Sequence, residues 1–114
     1  MTTVQDLQKQ FHCCMPLFIA LGDKVRLSIV ELLTEAAVRS EDPQGTIDFH
    51  AMNVNEITRR TSLSRPAISH HLKILKDAGL VGVRQDGTAN YYYLTLRDST
   101  RSLMELGYRL EEFM

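Results

Sequence analysis

Two groups of residues in this sequence have the types and spacing to do chemistry. The first is cationic. Between positions 59 and 84, Arg59, Arg60, Arg65, Lys73, Lys76 and Arg84 stand against Asp77 alone, a local charge of +5 in a chain whose total is -1. Such a run can neutralise phosphates, and an arginine presented end-on can grip guanine O6 and N7 as a bidentate pair. An acidic stretch lies upstream, with Glu31, Glu35, Glu41, Asp42, Asp48 and Glu56 against Arg39, a local charge of -5. The near-neutral total therefore conceals two segments of opposite sign, although charge runs also serve as plain solvated faces.

The second group is His12-Cys13-Cys14. Imidazole and thiolate would suit zinc or a softer ion, with His50 or the same residues of a second subunit completing the set, but the spacing matches no familiar metal site. Adjacent cysteines cannot build a disulfide framework. Cys14 also shares helical spacing with the apolar Phe11 and Phe18, where a small buried cysteine is ordinary. Cys13 and Cys14 thus stand as candidates for a thiol sensor, with packing as the alternative for Cys14. With no CxxC pair and no placed general base, an enzyme is not expected, and neither metal nor cofactor is assigned. His70 and His71 are no metal pair, because consecutive helical residues diverge by about 100°.

The elements that must position these residues can be read from caps and periodicity. At 114 residues and 44% hydrophobic, the chain fits one domain, 1–114. It lacks both a secretory leader and an apolar run of about 18 residues, so a cytoplasmic location is expected. Val4, Leu7, Phe11, Cys14, Phe18 and Leu21 recur at helical spacing, and Pro16 predicts a break near Met15 into two short helices. Asp23 is placed to cap a helix carrying Val25, Ile29, Leu32, Leu33 and Ala36. Ser40 to Gly45 reads as a loop and Thr46 to Phe49 as a short strand. Asn53 and Glu56 have capping-box spacing at the start of a helix from Val54 to about Arg60.

Ser64 then caps a helix to Ala78, with Pro66 tolerated in the first turn and Gly79 as the stop. Strands Val81 to Gln85 and Ala89 to Leu94 follow, joined by Asp86-Gly87, and a last helix runs from Asp98 to Phe113 with Leu103, Leu106, Gly107, Leu110 and Phe113 at helical spacing. The fold class is mainly α with a small antiparallel β-hairpin. Helix, turn, helix and hairpin in this order make a winged helix-turn-helix, whose second helix enters the major groove.

A helical wheel puts Ile68, His71, Leu72, Leu75 and Ala78 on the core side and Pro66, Ser69, His70, Lys73 and Asp77 opposite. Ser64, Arg65, Pro66, Ser69, His70 and Lys73 are accordingly the expected DNA-facing residues of the helix, with Arg65 and His70 reading bases. In the wing, Arg84, Thr88 and Asn90 cluster with Gln85 near the tip, without a large apolar residue to bury it, which suits contact with the phosphate backbone or minor groove. Tyr91, Tyr92 and Tyr93 are expected to pack, with Tyr92 facing away from its neighbours.

Leu21-Gly-Asp-Lys-Val-Arg-Leu27, Ser64-Arg-Pro-Ala-Ile-Ser-His-His-Leu-Lys-Ile-Leu75, Ala78-Gly-Leu80 and Asp86-Gly-Thr-Ala-Asn-Tyr-Tyr-Tyr-Leu94 resemble the ArsR/SmtB family of bacterial repressors, over roughly 18–94. The resemblance implies a homodimer, built from the first and last helices, that binds an inverted-repeat operator in double-stranded DNA and leaves it when an effector binds. Many members sense metals through Cys-x-Cys before the recognition helix, where this chain has Asn53 and Asn55, and amides are poor ligands for thiophilic ions. Others place Asp and His ligands along the last helix, where Asp98 stands alone. The expectation is therefore a repressor of unknown effector, either thiol-responsive or an effector-independent DNA-binding protein.

Overall fold

Capping chemistry fixes where this chain turns. In the computed structural model, which describes residues 1–39 and 51–114, helix α1 (Val4–Leu21) opens on a reciprocal box. The Asp6 amide donates to Thr3 Oγ1 and the Thr3 amide to Asp6 Oδ2, both at 3.1 Å. Helix α2 (Lys24–Arg39) opens on Asp23, whose Oδ1 accepts from the amides of Val25 and Arg26 at 2.9 and 3.1 Å. The expected Asn53–Glu56 box is formed at the start of α3 (Val54–Arg59). The loop expected at Ser40 to Gly45, the strand at Thr46 to Phe49 and His50 lie outside the described residues.

Helix α4 (Arg65–Asp77) is capped by Ser64. It ends in a Schellman turn, in which the Leu80 amide reaches the Leu75 carbonyl at 2.9 Å and the Gly79 amide reaches that of Lys76 at 3.0 Å. Gly79 sits at φ 78, a left-handed conformation that glycine accepts without steric cost. Strands β2 (Val81–Asp86) and β3 (Ala89–Leu94) form the hairpin, and α5 (Leu96–Phe113) closes the described chain. A two-residue strand, β1 (Met52–Asn53), adds to the far edge of β3, giving an antiparallel order β1-β3-β2. One apolar cluster holds these together, drawn from Leu17 and Ala20 of α1, Ile29 and Leu33 of α2, Met52, Ile57, the inner face of α4, and Leu80 and Val81.

Three expectations are corrected. Pro16 does not divide the first segment: α1 is one helix with Pro16 inside it. Proline removes a single amide donor, and Cys14, Leu17 and Ala20, all buried, hold the helix on both sides of that gap. The apolar stripe is also rotated from the one read in the sequence, since Phe11 and Phe18 are exposed while Leu17 and Ala20 point inward. Finally, the hairpin turn is Gly87-Thr88, with Asp86 paired to Ala89. Gly87 at φ 64 followed by Thr88 at negative φ is the type II′ pattern, whose twist matches that of the strands.

The first and last helices, for which the sequence assigned no partner within the chain, pack on each other. Gln10 Nε2 donates to the Ser102 carbonyl at 2.9 Å, and Thr2 Oγ1 to Glu112 Oε2 at 2.7 Å. No helix among the described residues is long and apolar enough to cross a membrane.

Two measurements check this account. Pro16→Ala returns the missing donor at an exposed position, and is expected to raise the unfolding free energy by about 1–3 kcal/mol in denaturant titrations. The backbone N–H of Arg26, then the Arg26 charge, hold the Asp23 carboxyl below its ordinary 3.8. A depressed carboxylate contributes stability that is present above the unfolded value and lost as pH falls through the folded one. Asp23→Ser keeps a cap acceptor without the titration, so its stability is expected to fall less steeply than wild type below pH 3.8.

Candidate nucleic-acid interface

The candidate interface is the outer half of α4 with the wing beside it. Ile68, Leu72 and Leu75 are fully buried and anchor the inner half. At 3.6 residues per turn, that anchoring turns the remaining positions outward, and Arg65, Pro66, Ser69, His70 and Lys73 are all exposed. Ser64 is exposed as well, but its Oγ accepts from the Ala67 amide at 3.4 Å, so it holds the start of the helix. Arg65 follows as the first helical residue, at the tip of the element.

Lys73 is not an isolated cation. Its Nζ lies 3.0 Å from Asp77 Oδ2, one turn on, with both side chains largely in solvent. Such an exposed pair is weak, on the order of 0.3–0.5 kcal/mol, so an approaching phosphate can take the ammonium from Asp77. Arg60, on the neighbouring α3 cap, sits 3.4 Å from Glu35 of α2. His71 turns inward as expected, partly buried, with Nδ1 3.2 Å from an Arg26 terminal nitrogen.

The wing residues Arg84, Thr88 and Asn90 are exposed, as is Gln85 opposite Asn90 in the ladder. Tyr92 packs on the core. Tyr93 lies on the other face, so close over Gly82 that a Cβ there would sit 2.7 Å from its ring. That close approach explains glycine in the middle of a strand. The tyrosines therefore brace the base of the wing.

The sulfur residues are not brought together. Cys13 is exposed, whereas Cys14 is buried with its Sγ 3.4 Å from the Ser102 carbonyl of α5. Among the described residues no three His, Cys, Asp or Glu side chains are grouped to hold a metal ion. One residue the sequence reading left without a role is Arg26, which bonds both α1 and α4. Its position in the first turn after Gly22-Asp23 was the available signal.

The sequence profile of the family described as "Bacterial regulatory protein, arsR family" matches residues 49–83. An HTH-type transcriptional regulator of Methanocaldococcus jannaschii is 37% identical over 98 residues, 86% of this chain and 94% of that protein. The transcriptional repressor SdpR of Bacillus subtilis is 33% identical over 85 residues, 72% of this chain and 79% of its own. Among solved structures, reduced HlyU from Vibrio cholerae superposes with a TM-score of 0.67 at 26% identity, over 94% of this chain and 97% of that one. The transcriptional activator HlyU is thus similar to this chain along nearly its whole length.

The two thiols differ in access, and their reactivity should differ with it. Native protein treated with an alkylating reagent is expected to be modified at Cys13 within minutes and at Cys14 only after unfolding, as read by peptide mass. Equal rates at both would show that α1 and α5 separate readily.

Proposed function

The chain belongs to the ArsR family of bacterial regulatory proteins, and from that premise we propose that it binds an inverted-repeat operator as a homodimer and represses transcription by occupying it. That it is a DNA-binding transcriptional regulator follows from the family. The observation that carries the finer reading is the division of α4, with Ile68, Leu72 and Leu75 buried on one side and Arg65, Ser69, His70 and Lys73 exposed on the other. Arg65, at the helix tip, reads a guanine edge, with His70 beside it. Ser64 and Pro66 set the entry of the helix, while Ser69, Lys73, Arg84, Thr88 and Asn90 contact phosphates and groove walls.

A second copy is the partner proposed for the surface that α1 and α5 leave open. Phe11, Met15, Phe18 and Ile19 on α1, and Leu103, Met104 and Tyr108 on α5, are all exposed. Large apolar residues gathered on paired helices favour association, and a two-fold axis would satisfy both copies with one interface. Of the similar proteins, SdpR is named a repressor and HlyU an activator. Repression is the simpler assignment, because occupancy alone blocks a promoter whereas activation needs a further productive contact. Such a protein acts in the cytoplasm, and no catalytic step is assigned to it. A thiol-responsive form of this reading would work through the exposed Cys13. Release of DNA by an alkylating reagent from wild type but not from Cys13→Ser would support it, and equal release would remove it.

The test of the main reading is selection of duplexes from random DNA followed by titration across salt. A steep inverse dependence on salt is expected, with Lys73→Ala and Arg84→Ala weakening all sequences and each reducing the log–log slope by about 1. Arg65→Ala should instead relax one base position in each half-site, by about 1–3 kcal/mol of discrimination. Asp77→Ala, which frees Lys73, should tighten binding. A chain that selects no duplex at low salt would overturn the proposal.

A further inference from the structure

One side chain outside the DNA-facing surface joins three helices. Arg26 of α2 donates from Nε to the Ala20 carbonyl at 2.7 Å and from one terminal nitrogen to the Ile19 carbonyl at 3.2 Å. Its other terminal nitrogen is 3.2 Å from His71 Nδ1 on α4. A guanidinium only donates, so in this bond Nδ1 is the acceptor. The final carbonyls of a helix have no partner within it. In α1 the Phe18 carbonyl is taken by the Gly22 amide, and Arg26 takes the next two.

We propose that Arg26 is a positioning residue for DNA recognition, fixing α4 against the end of α1 and so setting the separation of the two recognition helices in a dimer. This rests on the dimeric operator-binding reading above. The route is short and every link is a contact. Ile19 is 61% exposed, on the apolar face assigned to the second copy, while its carbonyl is held by Arg26. Arg26 holds His71, and the next ring along, 5.9 Å from His71, is that of His70 on the DNA face. A planar fork can serve three acceptors on two helices at once, which a lysine ammonium on its flexible stem cannot reproduce. Core packing alone leaves α4 free to slide or rotate slightly on its apolar face. A directional bond at its middle restricts that freedom.

The test separates positioning from simple support of the fold. His71→Leu removes the acceptor and His71→Gln offers an amide oxygen in its place. Each is titrated against a selected duplex carrying two half-sites, the same duplex with the half-site spacing altered, and a duplex carrying one half-site. His71→Leu is expected to lose about tenfold on the two-half-site duplex, the order of one hydrogen bond to a charged group, with unchanged affinity for the single half-site. It should also tolerate altered spacing better than wild type, and His71→Gln should restore both properties. Arg26→Lys should show the same split and serves if His71→Leu fails to fold. Equal losses on one and two half-sites, or wild-type affinity and spacing preference in both His71→Leu and Arg26→Lys, would overturn the proposal while leaving operator binding intact. Failure of the wild type to bind either duplex would overturn both.

Discussion

The constraint on which this molecule depends is that α4 must be half core and half surface. Ile68, Leu72 and Leu75 are completely buried, and each fully buried side chain of this size contributes about 1.5–3 kcal/mol through the apolar area it removes from water. In a chain of 114 residues the core is small, so the recognition helix is one of its main walls. The outward face is then determined by geometry. Placing apolar residues at 68, 72 and 75 leaves 65, 66, 69, 70 and 73 to solvent, and the protein can vary those positions without touching its core. The proposed base-reading residues and the core residues thus lie on opposite sides of the same 13-residue helix.

Charge follows the same division. A total of -1 would keep a uniformly charged molecule indifferent to DNA, but distribution governs the field a phosphate meets. Arg65 and the wing tip, the proposed contacts with DNA, are exposed. Two acidic groups restrain the cations nearby: Asp77 at 3.0 Å from Lys73 and Glu35 at 3.4 Å from Arg60. Both pairs are partly or largely solvated, so they screen rather than neutralise, and they give way to a ligand with several charges.

The parts of this structure legible in the sequence are those governed by local rules. Asn53 with Glu56, Asp23, Ser64 and Gly79 each satisfy orphan backbone groups within a few residues, and each stands where the sequence placed it. The burial pattern of α4 was likewise readable because three buried residues at helical spacing leave little rotational choice. What was not legible depends on partners distant in the chain. Pro16 has the local signature of a break, yet buried Cys14 and Leu17 on α5 and the core outweigh one missing hydrogen bond. Asp86-Gly87 has the local signature of a turn, but register with β3 admits Asp86 to the ladder and shifts the turn by one residue. The strand at Met52–Asn53 exists only because β3 offers it an edge, and two residues carry too little pattern to announce it. In the candidate site, the exposed residues were found from the sequence, whereas the Arg26 contacts were not, since they span 45 residues to His71.

The far end of α4 shows how a recognition helix of this length is kept from pivoting. The Schellman turn directs the Gly79 carbonyl away from the helix, and that oxygen accepts from Thr95 Oγ1 at 3.0 Å and from Ser99 Oγ at 3.2 Å. Ser99 is nearly buried, and the Thr95 amide also binds the Leu80 carbonyl at 3.0 Å, so the start of α5 is bonded to the stop of α4. A rigid body held only by an apolar face can rotate about the normal to that face. With one directional contact at its middle, from Arg26 to His71, and a cluster of them at its end, from Gly79 to α5, such rotation must break a hydrogen bond at one point or the other. The two contacts lead to different helices, α1 and α5, and these are the pair that pack together and expose the apolar residues assigned to the second copy. The orientation of the proposed DNA-facing surface is thereby referred to the same two helices at both of its fixed points.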